Sequence, residues 1–419
     1  MIESLADRRA RLMGPNIPTF YKTAVHIVLG EGVWLWDANG KRYLDCYNNV
    51  AHVGHCHPRV VQAISSQAGL LNTHTRYQHD LVLDYIERLT ATFRHGLTQA
   101  IMTCTGSEAN DIALRMAQAA TGQTGIIATD ATYHGNTMAV SQLSTRKPPI
   151  GGRWPNVRLV PAPNSLATPD PDGTQFAAHV TAAMADLKAK GFGTSALLIC
   201  PMFANEGLPS LPHGWLAPTE TVLRKEGALI IADEVQPGFG RAGSHFWGHE
   251  KLGFRPDIVT MGKPMGNGHP VAGVATTPAI MAAFRGAFSY FNTFGGNPVS
   301  AAAALAVLDV IADEGLQENA QTVSAYLLSG LQSLHHPLIA ETRANGLFFA
   351  LELQIDGAPA TRFAADLVEN MVTKGILMNV IGAGRNILKI RPPLPFSKEN
   401  ADMLLCALQA AMRDTSVQQ

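Results

Sequence analysis

The stretch Ala228-Leu229-Ile230-Ile231-Ala232-Asp233-Glu234-Val235, "ALIIADEV", is an unbroken apolar run that ends on two adjacent carboxylates. Apolar residues without alternation imply a strand covered on both faces, the pattern of a parallel sheet enclosed by helices. Similar runs recur through the middle of the chain: "GIIATD" (125–130), "RLVPA" (158–162), "ALLICP" (196–201), "DIVTMG" (257–262) and "PVAGVAT" (270–276). Helical patterns at 110–120, 175–190 and 216–226 lie between them. The alternation predicts an α/β fold with a mainly parallel central sheet covered by helices.

The flanks read differently. "GEGVWLWDANGKRYLDCYNN" (30–49) carries a D-A-N-G turn between two strand signals, and the chain beyond about 315 mixes helices with the strands "GLFFALEL" (346–353) and "NILKIR" (386–391). We expect residues 1–51 and 298–419 to form a smaller α+β domain from both chain ends, around a large domain at 52–297.

Composition excludes several classes. Thirty-two basic and thirty-three acidic residues in 419 leave a net charge of −1, which gives no electrostatic basis for a nucleic-acid or anionic-membrane partner. The five cysteines, Cys46, Cys56, Cys104, Cys200 and Cys406, are odd in number and widely spaced, which suits a reducing compartment better than a disulfide framework. The opening "MIESLADRRARLMG" mixes both charge signs without an apolar core, and no later run is long enough to span a bilayer. A cytoplasmic protein is expected.

Four features carry chemistry. "TGSEAN" (105–110) precedes a helical run, so Gly106 and Ser107 sit where free N–H groups and the helix dipole favour an anion such as phosphate, although an ordinary serine cap has the same look. Tyr133 in "YHG" follows a strand, at the sheet end where ligands of open α/β folds bind. Asp233 ends so apolar a strand that its carboxylate needs a partner, and a protonated pyridine nitrogen would be one. Lys263 in "TMGKPMGNGHP" (260–270) is the only formally charged side chain between Ile258 and Phe284. Held in a tight loop between buried strands, its amine is desolvated and nucleophilic, as a Schiff-base lysine must be. A phosphate cradle, an aromatic plate, an aspartate and a lysine, all at strand ends, describe a pyridoxal 5′-phosphate site. "HVGHCH" (52–57) has ligand-type side chains but no second cluster, so no metal is expected there.

"TGSEAN", "YHG", "IADEVQPGFGR" (231–241), "MGKPMGNGHP" and "FNTFGGNPVS" (291–300), in this order, resemble the class III aminotransferases, fold-type I pyridoxal-phosphate enzymes, over nearly the whole chain. The resemblance implies that Lys263 and Asp233 are the catalytic pair. It also implies that Gly106, Ser107, Tyr133, His134, Glu206, Val235 and Gln236 surround the cofactor, and that Thr293 reaches the phosphate in a neighbouring subunit. A homodimer with shared sites, or a tetramer built from such dimers, follows from it.

A narrower resemblance lies in "YNNVAHVGHCHP" (47–58), "NTHTRYQHD" (72–80) and "GRNILKIRPPL" (384–394), which are similar to the branch of ethanolamine-phosphate and phosphohydroxylysine phospho-lyases. Where many transaminases of the family have an arginine for the substrate carboxylate, three residues before Pro392-Pro393, this chain has Lys389. A lysine is a point charge suited to phosphate without planar recognition. Asn49, Arg76 and Lys389 are the expected substrate contacts. Arg76 reads equally as a surface pair with Asp80, and Arg391 either compensates for Lys389 or faces outward. The expected reaction is elimination of ammonia and phosphate from a small phosphorylated or phosphono amine such as O-phosphoethanolamine; the alternative is an ω-amine or ω-amino-acid transaminase.

Overall fold

A computed structural model describes residues 3–145, 149–164, 166 and 169–416, so Met1 and Ile2 of the N-terminal stretch lie outside it. Its largest sheet has seven strands in the order Gln99–Thr103, Ala272–Thr276, Ile258–Met261, Leu229–Asp233, Ala196–Ile199, Ile126–Thr129 and Val157–Val160. Only Ala272–Thr276 runs against the others, pairing antiparallel with both of its neighbours. The remaining contacts in the sheet are parallel. Four of these strands are buried along their whole length, which is why they read as continuous apolar runs. Gln99–Thr103 escaped the sequence reading, because Gln99 and Thr103 leave too short an apolar stretch.

Helices Gly106–Thr121, Thr174–Ala189 and Ala217–Lys225 occupy the three expected regions. The first begins four residues before the helical pattern becomes visible. Thr105, not a serine, is its N-cap: Glu108 N donates to Thr105 Oγ1, and Glu108 Oε2 accepts from Thr105 N at 3.0 Å and Cys104 N at 2.8 Å. This capping box removes the Thr105 and Glu108 amides from contention and leaves the first turn facing the sheet ends.

Both chain ends meet. Strands Ile27–Glu31, Trp34–Asp37 and Arg42–Asp45 form an antiparallel meander with Asp37–Gly40 as its turn, and Ile376–Leu377 adds in parallel to the last strand. A third sheet joins Ile339–Ala344, Phe349–Ile355, Ile387–Ile390 and Asn379–Ile381, all antiparallel. Helix Pro298–Asp313 reaches back to helices Pro58–Ala68 and Asp80–Thr90, tied by Arg59–Asp313 at 2.8 Å and Arg88–Asp309 at 2.7 Å. Among the described residues no helix is long and apolar enough to cross a membrane.

Glu234, the second carboxylate of the opening stretch, is fully buried and caps helix Gly248–Leu252. Its Oε2 accepts from Gly248 N at 3.0 Å, and its Oε1 accepts from His249 N at 2.7 Å and His249 Nδ1 at 2.8 Å. Glu234→Ala would strand three buried donors and should destabilise the chain by on the order of 3 kcal/mol, read as a lower urea midpoint at unchanged slope.

Candidate active site

The carboxyl ends of strands Ile126–Thr129, Ala196–Ile199, Leu229–Asp233 and Ile258–Met261 open into a cavity of about 310 Å³. Its lining includes Gly106, Ser107, Tyr133, His134, Asp233, Val235, Gln236 and Lys263, eight of the residues singled out from sequence. Parallel strands place their following loops on one side of the sheet, and this is how positions up to 157 residues apart meet.

Asp233 sits at the centre of this arrangement and is buried. His134 Nδ1–H donates to Asp233 Oδ2 at 2.6 Å, and Asn110 Nδ2 donates to the same oxygen at 3.1 Å. Val235 N donates to Oδ1 at 3.0 Å. Asn110 is held in turn by Thr260 Oγ1, which donates to its Oδ1 at 2.7 Å, and it also donates to His134 O at 2.7 Å. Asn110 is fully buried, and its signal in the sequence is no more than a polar side chain on the apolar face of the helix.

Lys263 follows strand Ile258–Met261 in a run of tight turns and has no hydrogen-bond acceptor among the described residues. Burial, offset in part by Asp233, pushes its amine down to about 8. Asn267 fixes the loop. It adopts φ +49°, in the left-handed region that asparagine tolerates, and its amide accepts from Val53 N at 2.9 Å and donates to Gly54 O at 2.7 Å.

The cradle opposite depends on glycine. Gly135 has φ +145°, and a Cβ there would lie 2.5 Å from Ser107 Oγ. A Cβ on Gly106 would lie 2.9 Å from both methyls of Val235. Ser107 is not the helix cap; its Oγ accepts from Asn136 N at 3.2 Å beside the first turn. An amine without a partner, a fixed carboxylate and a glycine-lined helix N-terminus fit pyridoxal 5′-phosphate.

The C-terminal cations come together behind Gln236. Lys389 Nζ donates to Ala204 O at 2.5 Å and to Gln236 Oε1 at 3.2 Å, and Arg391 Nη1 donates to that same Oε1. Residues two apart in a strand share a face, so Arg391 faces inward. It is buried, with Nε and Nη2 donating to Tyr47 O at 2.9 and 2.7 Å. Lys389 lies behind the cavity wall rather than on it.

Glu206 stands nearby, with Oε1 accepting from Thr129 Oγ1 at 2.9 Å and Oε2 from Asn205 N at 3.0 Å. Asn49 is buried beside lining residue Val50, and among the described residues its Nδ2 has no partner. Thr293 is exposed and outside the cavity. Arg76 is exposed as well, in a separate cavity of about 520 Å³, where its guanidinium lies 4.1 Å from the Phe291 ring centre; among the described residues no ion pair joins it to Asp80.

The three histidines of 52–57 separate. His52 Nε2–H donates to Phe239 O at 2.6 Å and its Nδ1 accepts from Arg241, His55 pairs with Asp45 at 2.7 Å, and His57 with Glu314 at 2.9 Å. Among the described residues no cluster of metal-ligating side chains forms.

The Lys263 amine reacts only when neutral, so its rate of capture of an added aldehyde by the apoprotein should rise as pH passes about 8 and level off above. Borohydride reduction and peptide mapping should place the label on Lys263; a label on another lysine would remove its assignment.

The profile of the class III aminotransferases matches residues 19–412. A Drosophila melanogaster protein named alanine–glyoxylate aminotransferase 2-like is 38% identical over 96% of this chain and 86% of its own length. Ethanolamine-phosphate phospho-lyase homolog 1 of Caenorhabditis elegans is 36% identical over 98% and 93%. Among solved structures, a phospholyase from Arthrobacter in complex with phosphoethanolamine superposes with a TM-score of 0.95 at 41% identity, covering 99% of this chain and 100% of that one. The sheet order, the cavity and these matches agree: the chain belongs to the class III aminotransferase family, and is an enzyme of fold type I that uses pyridoxal 5′-phosphate.

Proposed function

We propose that this enzyme is a phospho-lyase that eliminates ammonia and phosphate from a small phosphorylated amine such as O-phosphoethanolamine. The observation that carries this reading is the pair Lys389 and Arg391, two buried basic side chains that converge on one neutral amide oxygen with no carboxylate ion-paired to either among the described residues. Buried charges are ordinarily paired, so an anionic substrate group is the natural counter-charge. The likeness to the Arthrobacter phospholyase and the Caenorhabditis elegans phospho-lyase homolog supports the same substrate class.

When bound, the cofactor supplies the electron sink for the electron pair left on the amine-bearing carbon. Gly106 and Ser107 would hold its phosphate, Tyr133 would cover its ring, and Asp233, set by His134 and Asn110, would present a carboxylate to the ring nitrogen. The Lys263 amine, facing the same cavity, would take the proton from the amine-bearing carbon. Val235 and Gln236 close the far side, and Arg391 and Lys389, standing behind Gln236, favour an anionic substrate end on that wall, away from the reacting carbon. The C–O bond to phosphate then breaks, and water replaces the amine. For O-phosphoethanolamine the products are phosphate, ammonia and acetaldehyde, and no oxidant is required.

Asn49, Glu206 and Arg76 complete the substrate end. Thr293 and Arg76 lie outside the Lys263 cavity, among exposed Tyr77, Phe291 and Phe294, which supports a homodimer in which this face serves the partner's site. The division into a large domain at 52–297 and a small domain from 1–51 and 298–419 belongs to the same reading, as does a cytoplasmic location, supported by five free cysteines. A second reading, transamination of an ω-amine, is favoured by the aminotransferase name of the Drosophila relative.

The test measures phosphate and ammonia released from O-phosphoethanolamine beside an amine-plus-pyruvate assay. Phosphate release should dominate, and Asp233→Asn should lower it by several orders of magnitude. Arg76→Ala should reduce kcat/KM for the phosphorylated amine by one to two orders of magnitude, about 1.5–3 kcal/mol, and spare an unphosphorylated one. Transamination proceeding well without phosphate release would replace this function by the second reading.

A further inference from the structure

Among the described residues Lys389 donates to two acceptors, the carbonyl of Ala204 and the amide oxygen of Gln236. The second is already occupied by Arg391. Among the described residues no carboxylate is hydrogen-bonded to either basic side chain, and the two that act on them from a distance, Glu206 and Asp45, are engaged by other donors. From the strand's own face comes Arg391, and from the loop after Ile258–Met261 comes Lys263, both of the same sign. From the segment after Ala196–Ile199 come Cys200, whose thiol burial pushes up and keeps neutral, and Glu206, whose two oxygens are turned to Thr129 and the Asn205 amide. The neighbouring strands face Lys389 with Ala350 and Asn379, and Phe348 lies beneath its ammonium at 5.6 Å. Asp45 is nearer to Arg391, and both of its oxygens are taken, one by the Tyr47 and Asn48 amides and the other by His55.

Two basic side chains therefore share one uncharged oxygen in a buried place. An arginine cannot shed its proton there, whereas a lysine can. We propose that Lys389 is uncharged while the substrate end of the cavity is empty and takes up a proton when a dianion binds against Gln236 and Arg391, so that anion binding at this site is linked to proton uptake. The inference rests on the phospho-lyase reading for the nature of the anion. Burial, followed by the charge of Arg391, pushes the Lys389 amine well below its ordinary range, in keeping with the packing.

The sign follows from linkage. A bound dianion raises the amine's affinity for its proton, so binding consumes protons between the free and bound titrations, and affinity falls as pH rises through that window. Sulfate is the suitable probe, because it stays a dianion throughout and cannot itself supply the change. Calorimetric titration of the holoenzyme with sulfate, in buffers of different ionisation enthalpy between about pH 7 and pH 9, counts the protons taken up. Wild type should take up as much as one proton per site, with affinity falling by up to about tenfold per pH unit where uptake is largest. Lys389→Arg keeps a permanent cation and should bind sulfate with no uptake, and Lys389→Met should lose most of the binding. Binding by wild type without proton uptake, or uptake persisting in Lys389→Arg, would overturn the proposal. Absence of sulfate binding would overturn it too, and in that case phosphate release from O-phosphoethanolamine decides whether the phospho-lyase function still stands.

Discussion

A carboxylate at the end of an apolar strand is the constraint on which the site depends. Asp233 is withdrawn from water, and its carboxylate oxygens are satisfied by three donors that come from different parts of the chain: His134, Asn110 and the amide of Val235. Each donor also positions something else. His134 follows Tyr133, Asn110 lies in the helix whose first turn is the phosphate cradle, and Val235 packs against Gly106. A cofactor ring set against Asp233 would therefore find its aromatic plate and its phosphate cradle in register with it, because the hydrogen bonds that hold the charge are the ones that order the neighbouring loops.

Positive charge is arranged by the opposite rule. Arg241, Lys389 and Arg391 are all buried, yet they find carbonyls and amides more than carboxylates. Arg241 donates to Pro392 O at 2.6 Å and to His52 Nδ1 at 3.2 Å, Arg391 to Tyr47 O, and Lys389 to Ala204 O. Neutral acceptors satisfy hydrogen-bonding geometry but leave the charge uncompensated, which costs stability in an apolar interior. The same surplus gives a local attraction for anions in a chain whose net charge is −1.

The parts legible in the sequence were those in which one residue contradicts its surroundings. Asp233 ends an apolar strand, and Lys263 is alone among glycines, methionines and prolines; either conflict is visible within a dozen residues. The parallel sheet was legible for the related reason that doubly covered strands are apolar throughout. Convergences made by tertiary packing were not. The meeting of Gln236 with Lys389 and Arg391 spans more than 150 positions, and no local pattern marks which face of a short strand will turn inward. Arg391 is the clear instance: its inward direction follows from sharing a face with Lys389, but which face that is depends on the sheet formed with Phe349–Ile355 and Asn379–Ile381.

Both chain ends are needed for this convergence, which explains an otherwise uneconomical topology. The loop bearing Tyr47 and Asn49 is shaped by Asp45, whose Oδ1 accepts from Tyr47 N at 3.0 Å and Asn48 N at 2.8 Å, and whose Oδ2 is held by His55. That loop then receives Arg391 through the Tyr47 carbonyl, and Arg391 N donates to Cys46 O at 2.6 Å. The N-terminal meander thus serves as the docking edge for the strand that carries the cations, while Arg241 from the Asp233 loop grips the same strand at Pro392. Cations without counter-charges would drift toward water if their strand were free to move. Fastening the strand from both sides holds the two basic side chains over Gln236, and the backbone contacts that do so offset part of the cost of burying them.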